Sequence, residues 1–461
     1  MVDLKNIQKI YFIGIGGIGM SALARYFRFH GKEVSGYDKT ETELTKKLIA
    51  EGIPVHYTEN LDLVPKDAGL VVYTPAIPND HKELLYYQQH NYPVLKRSDV
   101  LGAITSSSFN ICVAGTHGKT TVSTMIAHLL RDSGYGCNAF LGGISVNYNS
   151  NFWSNERNTC VIEADEYDRS FLKLSPDIAV ITAMDADHLD IYGTAEAVEE
   201  AFIAFSKSVK PNGLLLSKFG LQRSEDLKAV RHILYSFDND HADIYAKNIR
   251  IAGGWYAFDV WSKDWELAGL TLSMGGMHNI ENAVVAIAVA HQLNIGDEKI
   301  KKAIASFRGV KRRFEYVLSH TSVGPVFIDD YAHHPAELKA LITGAKNLFP
   351  GKKCTVIFQP HLYTRTRDFA DGFAESLDLA DEVILLPVYP ARELPIEGVT
   401  SKMIADKMKH ATVHTMSKEE LLDWLTHLQP KNVANRLLIT AGAGDIDAMV
   451  GQIKKIIEKT N

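Results

Sequence analysis

The sequence predicts an α/β protein in which three parallel-sheet domains follow one another. Three observations carry that expectation. Short apolar runs alternate with stretches of helical period along nearly the whole chain, the pattern of repeated βαβ units. The alternation is interrupted by a serine cluster at 105–108 and again by a basic turn near residue 313. Two glycine-rich turns, "GIGGIG" at 14–19 and "GTHGKTT" at 115–121, each stand between an apolar run and a helical one. For 461 residues, with roughly 150 per domain as a prior, three domains are expected: 1–105, 106–312 and 313–461.

In the first domain "KIYFIGI" reads as a strand, "MSALARYFRFHG" as a helix ending on Gly31, and "EVSGYD", "GLVVYTPAIP" and "YPVLKR" as further strands. The second series runs through "FNICVAG", "TCVIEADEYD", "DIAVITAMDADHLD" and "GLLLSK". Residues 242–274 differ, being rich in aromatic and β-branched residues with turn signals, and are expected to add antiparallel strands. After the helix "HNIENAVVAIAVAHQL" a third series follows: "GPVFIDDYAHHP", "KCTVIFQP", "EVILLPVYP" and "RLLITAGAG".

Composition narrows the function classes. An apolar share of 46% against 23% charged residues suits several globular cores rather than disorder. A net charge of −6 argues against a nucleic-acid partner, whose phosphates require a basic face. Cys112, Cys137, Cys160 and Cys354 form no CxxC pair, so they are read as buried structural thiols. The start "MVDLKNIQKI" has no secretory pattern, and "AVVAIAVA" at 283–290 is far shorter than a membrane span. No membrane partner and a cytoplasmic location are therefore expected.

"GIGGIG" fits GxGxxG with Gly14, Gly16 and Gly19, and Asp38 ends the next strand. Such glycines let backbone approach a diphosphate at a helix N-terminus, while the acid can bind a ribose hydroxyl. Alone the motif suggests an NAD-dependent dehydrogenase, or merely tight strand-to-helix packing. "GTHGKTT" supplies Gly115, Thr116, His117, Gly118, Lys119, Thr120 and Thr121. Its lysine suits β- and γ-phosphates, its first threonine suits magnesium, and its N–H groups suit phosphate oxygens. It departs from GxxxxGK[ST], because Val113 occupies the place of the first glycine. The following strands end in acids: Glu163, Asp165, Glu166 and Asp168 on one, Asp185, Asp187, His188 and Asp190 on the other. Acids at strand ends beside a P-loop are candidate magnesium ligands.

With these residues in view, the chain resembles the Mur ligases, ATP-dependent amide-forming enzymes of peptidoglycan precursor synthesis, and among them the alanine-adding branch. The resemblance rests on "FIGIGGIGMS", "AGTHGKTT", "EADEYDRSF", "DADHLDIYGT", "GMHNIENA", "GVKRRFE", "DDYAHHPAE", "FQPHLYTRTRDF", "YPARELPI" and "GAGDID", in that order. It implies a Rossmann-like N-terminal domain for the UDP-sugar, a central P-loop ATPase domain with added antiparallel strands, and a Rossmann-like C-terminal domain for the amino acid. It also implies the reaction. The lactyl carboxylate of UDP-N-acetylmuramate takes the γ-phosphoryl group of ATP, L-alanine attacks the acyl phosphate, and phosphate leaves from a tetrahedral intermediate.

The resemblance further implies site residues. Gly14, Gly16, Gly17, Gly19, Asp38, Thr74 and Arg97 would surround the UDP-sugar. Thr120 and Glu163 would ligate one Mg2+ and His188 a second, with Glu166 a further candidate. Lys119 would screen phosphate charge; Asn279 and Asn282 would sit at the nucleotide. Arg313 and Asp330 would take part in catalysis at the junction with the third domain, with Arg313 touching the phosphate of ATP. His333 and Arg365 would hold the amino acid, and Arg367 would either share that task or pair with Asp368. Tyr167 and Leu362 depart from the alanine-adding pattern, and Tyr167 also resembles the murein tripeptide ligase of cell-wall recycling. That sister activity is the alternative within the family; a nucleotide-gated switch is the non-enzyme alternative. The oligomeric state is expected to be monomer or homodimer, with the three domains closing as ligands bind.

Overall fold

The computed structural model describes every residue except 1–3, 5, 168, 186–188, 319–323, 392 and 461. Its strands form three sheets, one for each series. The first is parallel throughout, with neighbours in the order Val55–His56, Glu33–Tyr37, Lys9–Ile13, Leu70–Tyr73 and Val94–Lys96. The chain thus leaves its first strand to one side and then returns to the other. This reversal opens a crevice at the carboxyl ends of Lys9–Ile13 and Leu70–Tyr73, the place where open α/β sheets bind ligands.

The central sheet has ten strands among the described residues. Phe109–Ala114 lies in its parallel core, between Ile178–Ile181 and Thr159–Glu163. Buried on both faces, these strands read as continuous apolar runs rather than alternating ones. The segment 242–274 supplies Ile244–Ala252, Trp255–Ser262 and Glu266–Leu272, and the last two pair antiparallel. Trp255–Ser262 alternates half-buried and buried positions, with Tyr256, Phe258 and Val260 inward. Ile244–Ala252 is antiparallel to Trp255–Ser262 as well, and its other edge joins the parallel part of the sheet, where Tyr235 and Ile244 pair parallel. A hairpin absent from the sequence reading, Asn138–Ser145 with Ser150–Trp153, closes the opposite edge.

The third sheet places Glu315–Leu318 antiparallel against Val326–Asp330, followed by Arg436–Ala441, Lys353–Phe358, Glu382–Leu385 and Thr412–Thr415, all parallel. Among the described residues no helix is long and apolar enough to cross a membrane. All four cysteines are buried and free.

Both junctions between the domains are packed. The helix Ile18–Phe29 lies on the central hairpin: the Arg25 guanidinium donates to Glu51 (2.6 and 2.9 Å) and to Asn151 (2.7 Å), and Asn151 Nδ2 donates to the carbonyl of Ile18 (2.6 Å). Tyr26 meets the ring of Phe140 with centroids 5.4 Å apart. Toward the third domain, the linker is pinned at Gly309 and Lys311 by hydrogen bonds to Val146 (3.0 Å) and Ile144 (2.8 Å). The Phe314 ring then fills the space beside Gly275, where a Cβ would lie 2.0 Å from it.

Arg312, which the sequence reading passed over, clasps the third domain. It donates to the carbonyl of Gly442, lies 3.7 Å from the carboxylate of Asp329 and stacks over Tyr331. Asp329 is buried and accepts from Thr440 (2.6 Å). Burial pushes its carboxyl up to about 7, against the opposing pull of Thr440 and Arg312. The folded value lies above the unfolded one, so the folded chain binds more protons between about pH 4 and pH 7. This group's contribution to stability is therefore present below pH 4 and lost as pH rises through 7. Asp329→Asn is expected to melt within a degree or so of the parent at pH 4.5 and about 2–4 °C above it at pH 8. A variant that melts below the parent at pH 8 would mean that the pairing with Arg312 outweighs burial.

Candidate active site

Each glycine-rich turn follows the first strand of its domain. At the first, the N–H groups of Gly14 and Ile15 both donate to the carbonyl of Tyr37 (2.8 and 2.9 Å). Asp38 accepts from Gly16 N (2.8 Å) and Thr40 N (3.1 Å), so its carboxylate braces the loop. A Cβ on Gly16 would come within 2.8 Å of Asp38 Oδ2, and one on Gly19 within 2.6 Å of Arg97 Nη1. The arginine therefore lies across the start of the helix Ile18–Phe29. Thr74, on the neighbouring strand end, is 3.0 Å from the Cβ position of Gly14. Gly14, Gly16, Gly19, Asp38, Thr74 and Arg97 thus gather around the crevice, with Gly17 on its wall.

At the second turn Val113 is a fully buried strand residue, in register with Glu163 and Val180. The strand runs to Ala114, and Gly115, at φ 136°, makes the turn. A Cβ there would lie 2.1 Å from the Thr182 hydroxyl, which donates to the carbonyls of Ala114 and His117. Helix Lys119–Asp132 begins directly after Gly118. Its N-terminus offers unpaired N–H groups and positive dipole to an anion.

Lys119 Nζ donates to the carbonyl of Gly115 (2.8 Å) and to Glu166 (2.7 Å). Glu166 is 1% exposed; burial raises its carboxyl above the usual range, against the pull of Lys119. The Thr120 hydroxyl donates to Glu163 Oε1 (2.8 Å), and Gly142 N donates to Glu163 Oε2 (2.8 Å). Thr116 accepts from Asp185 N (3.2 Å), His117 lies 3.7 Å from the Asp185 carboxylate, and Thr121 is buried in the helix. His188 and Asp187 lie outside the described residues. Asn279 donates to the carbonyl of Gly275 (2.5 Å) and accepts from Asn282 (2.9 Å). Asn282 Oδ1 is 3.3 Å from the Cβ position of Gly118, so the asparagine helix abuts the loop.

Thr120 and Glu163 bring two hard oxygens to the helix N-terminus, a donor set that suits magnesium. Among the described residues no three His, Cys, Asp or Glu side chains converge as a metal site. A magnesium ion bound together with phosphates needs only one or two protein carboxylates, so the residues fit.

In the third domain Asp330 ends its strand and accepts from Phe314 N (2.6 Å) and Ala332 N (2.8 Å). Burial pushes its carboxyl up to about 6, with these donors and Arg313 opposing. His333 Nδ1 is 3.0 Å from the carbonyl of Tyr331, and its ring centroid is 6.4 Å from that of His361. His361 stacks on Tyr389, and its buried Nδ1 has no hydrogen-bond partner among the described residues. Burial, reinforced by Arg365 and His333, holds this imidazole below the ordinary histidine value. Arg367 donates to Asp368 (2.7 Å). His361 and Tyr389 were missing from the sequence reading. Leu362, at φ 69°, follows His361 and donates to the carbonyl of Tyr389 (2.9 Å).

One cleft of about 280 Å³ spans two domains. Gly17, Gly19, Thr74 and Arg97 line it from the first, and Gly142, Glu163 and Asp165 from the second. The diphosphate-type loop and the acid beside the P-loop threonine therefore face the same space.

Comparison with known proteins agrees along the whole chain. The domain families described as "Mur ligase family, catalytic domain", "Mur ligase middle domain" and "Mur ligase, glutamate ligase domain" match residues 9–108, 113–290 and 312–444. The UDP-N-acetylmuramate–L-alanine ligase of Phocaeicola vulgatus is 50% identical, over 99% of this chain and 100% of its own. That of Flavobacterium johnsoniae is 47% identical over 99% and 100%. The crystal structure of the UDP-N-acetylmuramate-alanine ligase of Thermotoga maritima superposes with a TM-score of 0.82 at 29% identity, covering 98% of this chain and 100% of that one. The chain belongs to the Mur ligase family.

Proposed function

We propose that the chain joins L-alanine to the lactyl carboxylate of UDP-N-acetylmuramate at the expense of ATP, releasing ADP and phosphate, as a step of peptidoglycan precursor synthesis. The observation that carries this reading is the shared cleft, in which the wall of a diphosphate-type loop faces Glu163. A UDP-sugar gripped at Gly14–Gly19 would extend its carboxylate toward the P-loop. The names of the full-length relatives agree.

In this reading Lys119 exchanges Glu166 for the β- and γ-phosphates, and the N–H groups of residues 117–120 donate to phosphate oxygens, that of Thr116 being held by the carbonyl of Ala183. Asn282 and Asn279 border the nucleotide. Magnesium, held by Thr120 and Glu163, would supply the positive charge that lets a carboxylate approach a triphosphate; His188 is proposed for a second ion. Arg97 and the N-terminus of helix Ile18–Phe29 neutralise the UDP diphosphate. With the carboxylate in line, phosphoryl transfer gives an acyl phosphate, and the chain's contribution is orientation and charge.

The amine would arrive from the third domain. Arg365 pairs with the alanine carboxylate through its planar fork, and His333 and His361 border the amino group. Arg313 and Asp330, at the junction, would bring this cluster over the acyl phosphate on closure. ATP and UDP-sugars are cytoplasmic metabolites, which sets the proposed location.

Magnesium-dependent phosphate release with UDP-N-acetylmuramate is expected with L-alanine and not with L-Ala-γ-D-Glu-meso-diaminopimelate, the amide being identified by mass. Turnover with the tripeptide alone would transfer the chain to the recycling branch. Lys119→Met is expected to lower kcat/KM for ATP about 10²- to 10³-fold, the scale for loss of one preorganised donor. UDP-N-acetylmuramate affinity, measured calorimetrically, should change less than twofold; a variant that retains its ATP efficiency would remove Lys119 from the phosphate site.

A further inference from the structure

We infer that Gly142 is a positioning residue for the nucleotide site: its backbone N–H and its missing side chain hold the Glu163 carboxylate against Thr120. The inference deepens the proposed function and rests on it.

The strand Asn138–Ser145 pairs with Thr159–Glu163 only from Asn138 to Phe140, and its pairing with Ser150–Trp153 shifts register between Phe140 and Ser145. Residues 141–144 therefore leave the regular ladder. Irregular strand segments of this kind re-aim groups next to active sites. Here the freed donor is Gly142 N, which goes to Glu163 Oε2 at 2.8 Å instead of to a neighbouring carbonyl. Glu163 Oε1 is left to accept the Thr120 hydroxyl.

The steric observation is independent of that hydrogen bond. A Cβ on Gly142 would lie 2.3–2.4 Å from all three terminal atoms of the Glu163 carboxylate. Gly142 is not among the glycines with positive φ, so alanine meets no backbone penalty there. A Cβ there and the carboxylate in this position exclude one another, so alanine would displace the flexible end of Glu163. The next residue repeats the pattern: a Cβ on Gly143 would lie 2.8 Å from Thr120 Cγ2 and 2.6 Å from Val310 Cγ1. Two successive bare positions thus seat the strand against the acid, the P-loop threonine and the linker to the third domain. Backbone support of a metal-ligating carboxylate fixes its orientation as surely as a side-chain partner does.

The test is ADP binding by calorimetry, with and without Mn2+, on the full chain and on Gly142→Ala. Gly296→Ala serves as control, because nothing lies within 4 Å of its Cβ position. The metal-free ADP affinity of Gly142→Ala should stay within twofold of the parent, while the gain in affinity conferred by Mn2+ falls at least tenfold. An undiminished gain would overturn the inference. A parent chain showing no Mn2+-dependent gain would instead defeat the proposed metal site itself. Should Gly142→Ala not fold, the Gly142 amide resonance of the 15N-glycine-labelled parent decides: it should move upfield in Glu163→Gln, and an unmoved resonance would refute the contact.

Discussion

The arrangement depends on one carboxylate held from two sides. Glu163 ends a buried central strand, and its oxygens are shared between the Thr120 hydroxyl at the start of the P-loop helix and the backbone N–H of Gly142. Without those tethers a glutamate at a strand end would sample several rotamers in water. With them it faces a cleft whose other wall is the glycine loop of the first domain. A charged group preoriented in this way costs little reorganisation when its partner arrives.

The surrounding structure supports that point mechanically. The same hairpin that supplies Gly142 receives the helix of the diphosphate-type loop through Asn151 and Arg25, and receives the interdomain linker through Ile144 and Val146. Beyond the linker, Phe314 connects the two flanking regions: its ring lies by Gly275, whose carbonyl accepts from Asn279, and its N–H donates to Asp330. Packed interfaces of this type move as units rather than deform. A displacement of the third domain would therefore reach both the helix His278–Gln292 and the cluster of His333 and His361.

Much of the fold was legible because its signals are local. The apolar runs of the parallel strands, the alternation at 255–262 and the glycine turns each occupy a few adjacent residues. The hairpin at 138–153 was not legible, since "NAFLGGISVNYNSNFW" carries two glycines and several polar residues that blur any period of two. The offset of Val113 was visible as a departure, but its reason is three-dimensional: the strand is one turn of pleat longer, and Gly115 takes over the bend against Thr182. His361, Tyr389 and Arg312 went unread for the same cause. Their partners lie tens of residues away, and neither an imidazole stacked on a distant tyrosine nor an arginine laid over the end of another strand leaves a mark in sequence spacing.

The most direct test of the account is an isotope experiment on the acceptor. UDP-N-acetylmuramate labelled with 18O in its lactyl carboxylate would be turned over with ATP and L-alanine, and the released phosphate examined by mass spectrometry. If the cleft delivers that carboxylate to the γ-phosphoryl group, one carboxylate oxygen must bridge to phosphorus and leave with the phosphate, while the other stays in the amide. Unlabelled phosphate, formed alongside product, would contradict the account.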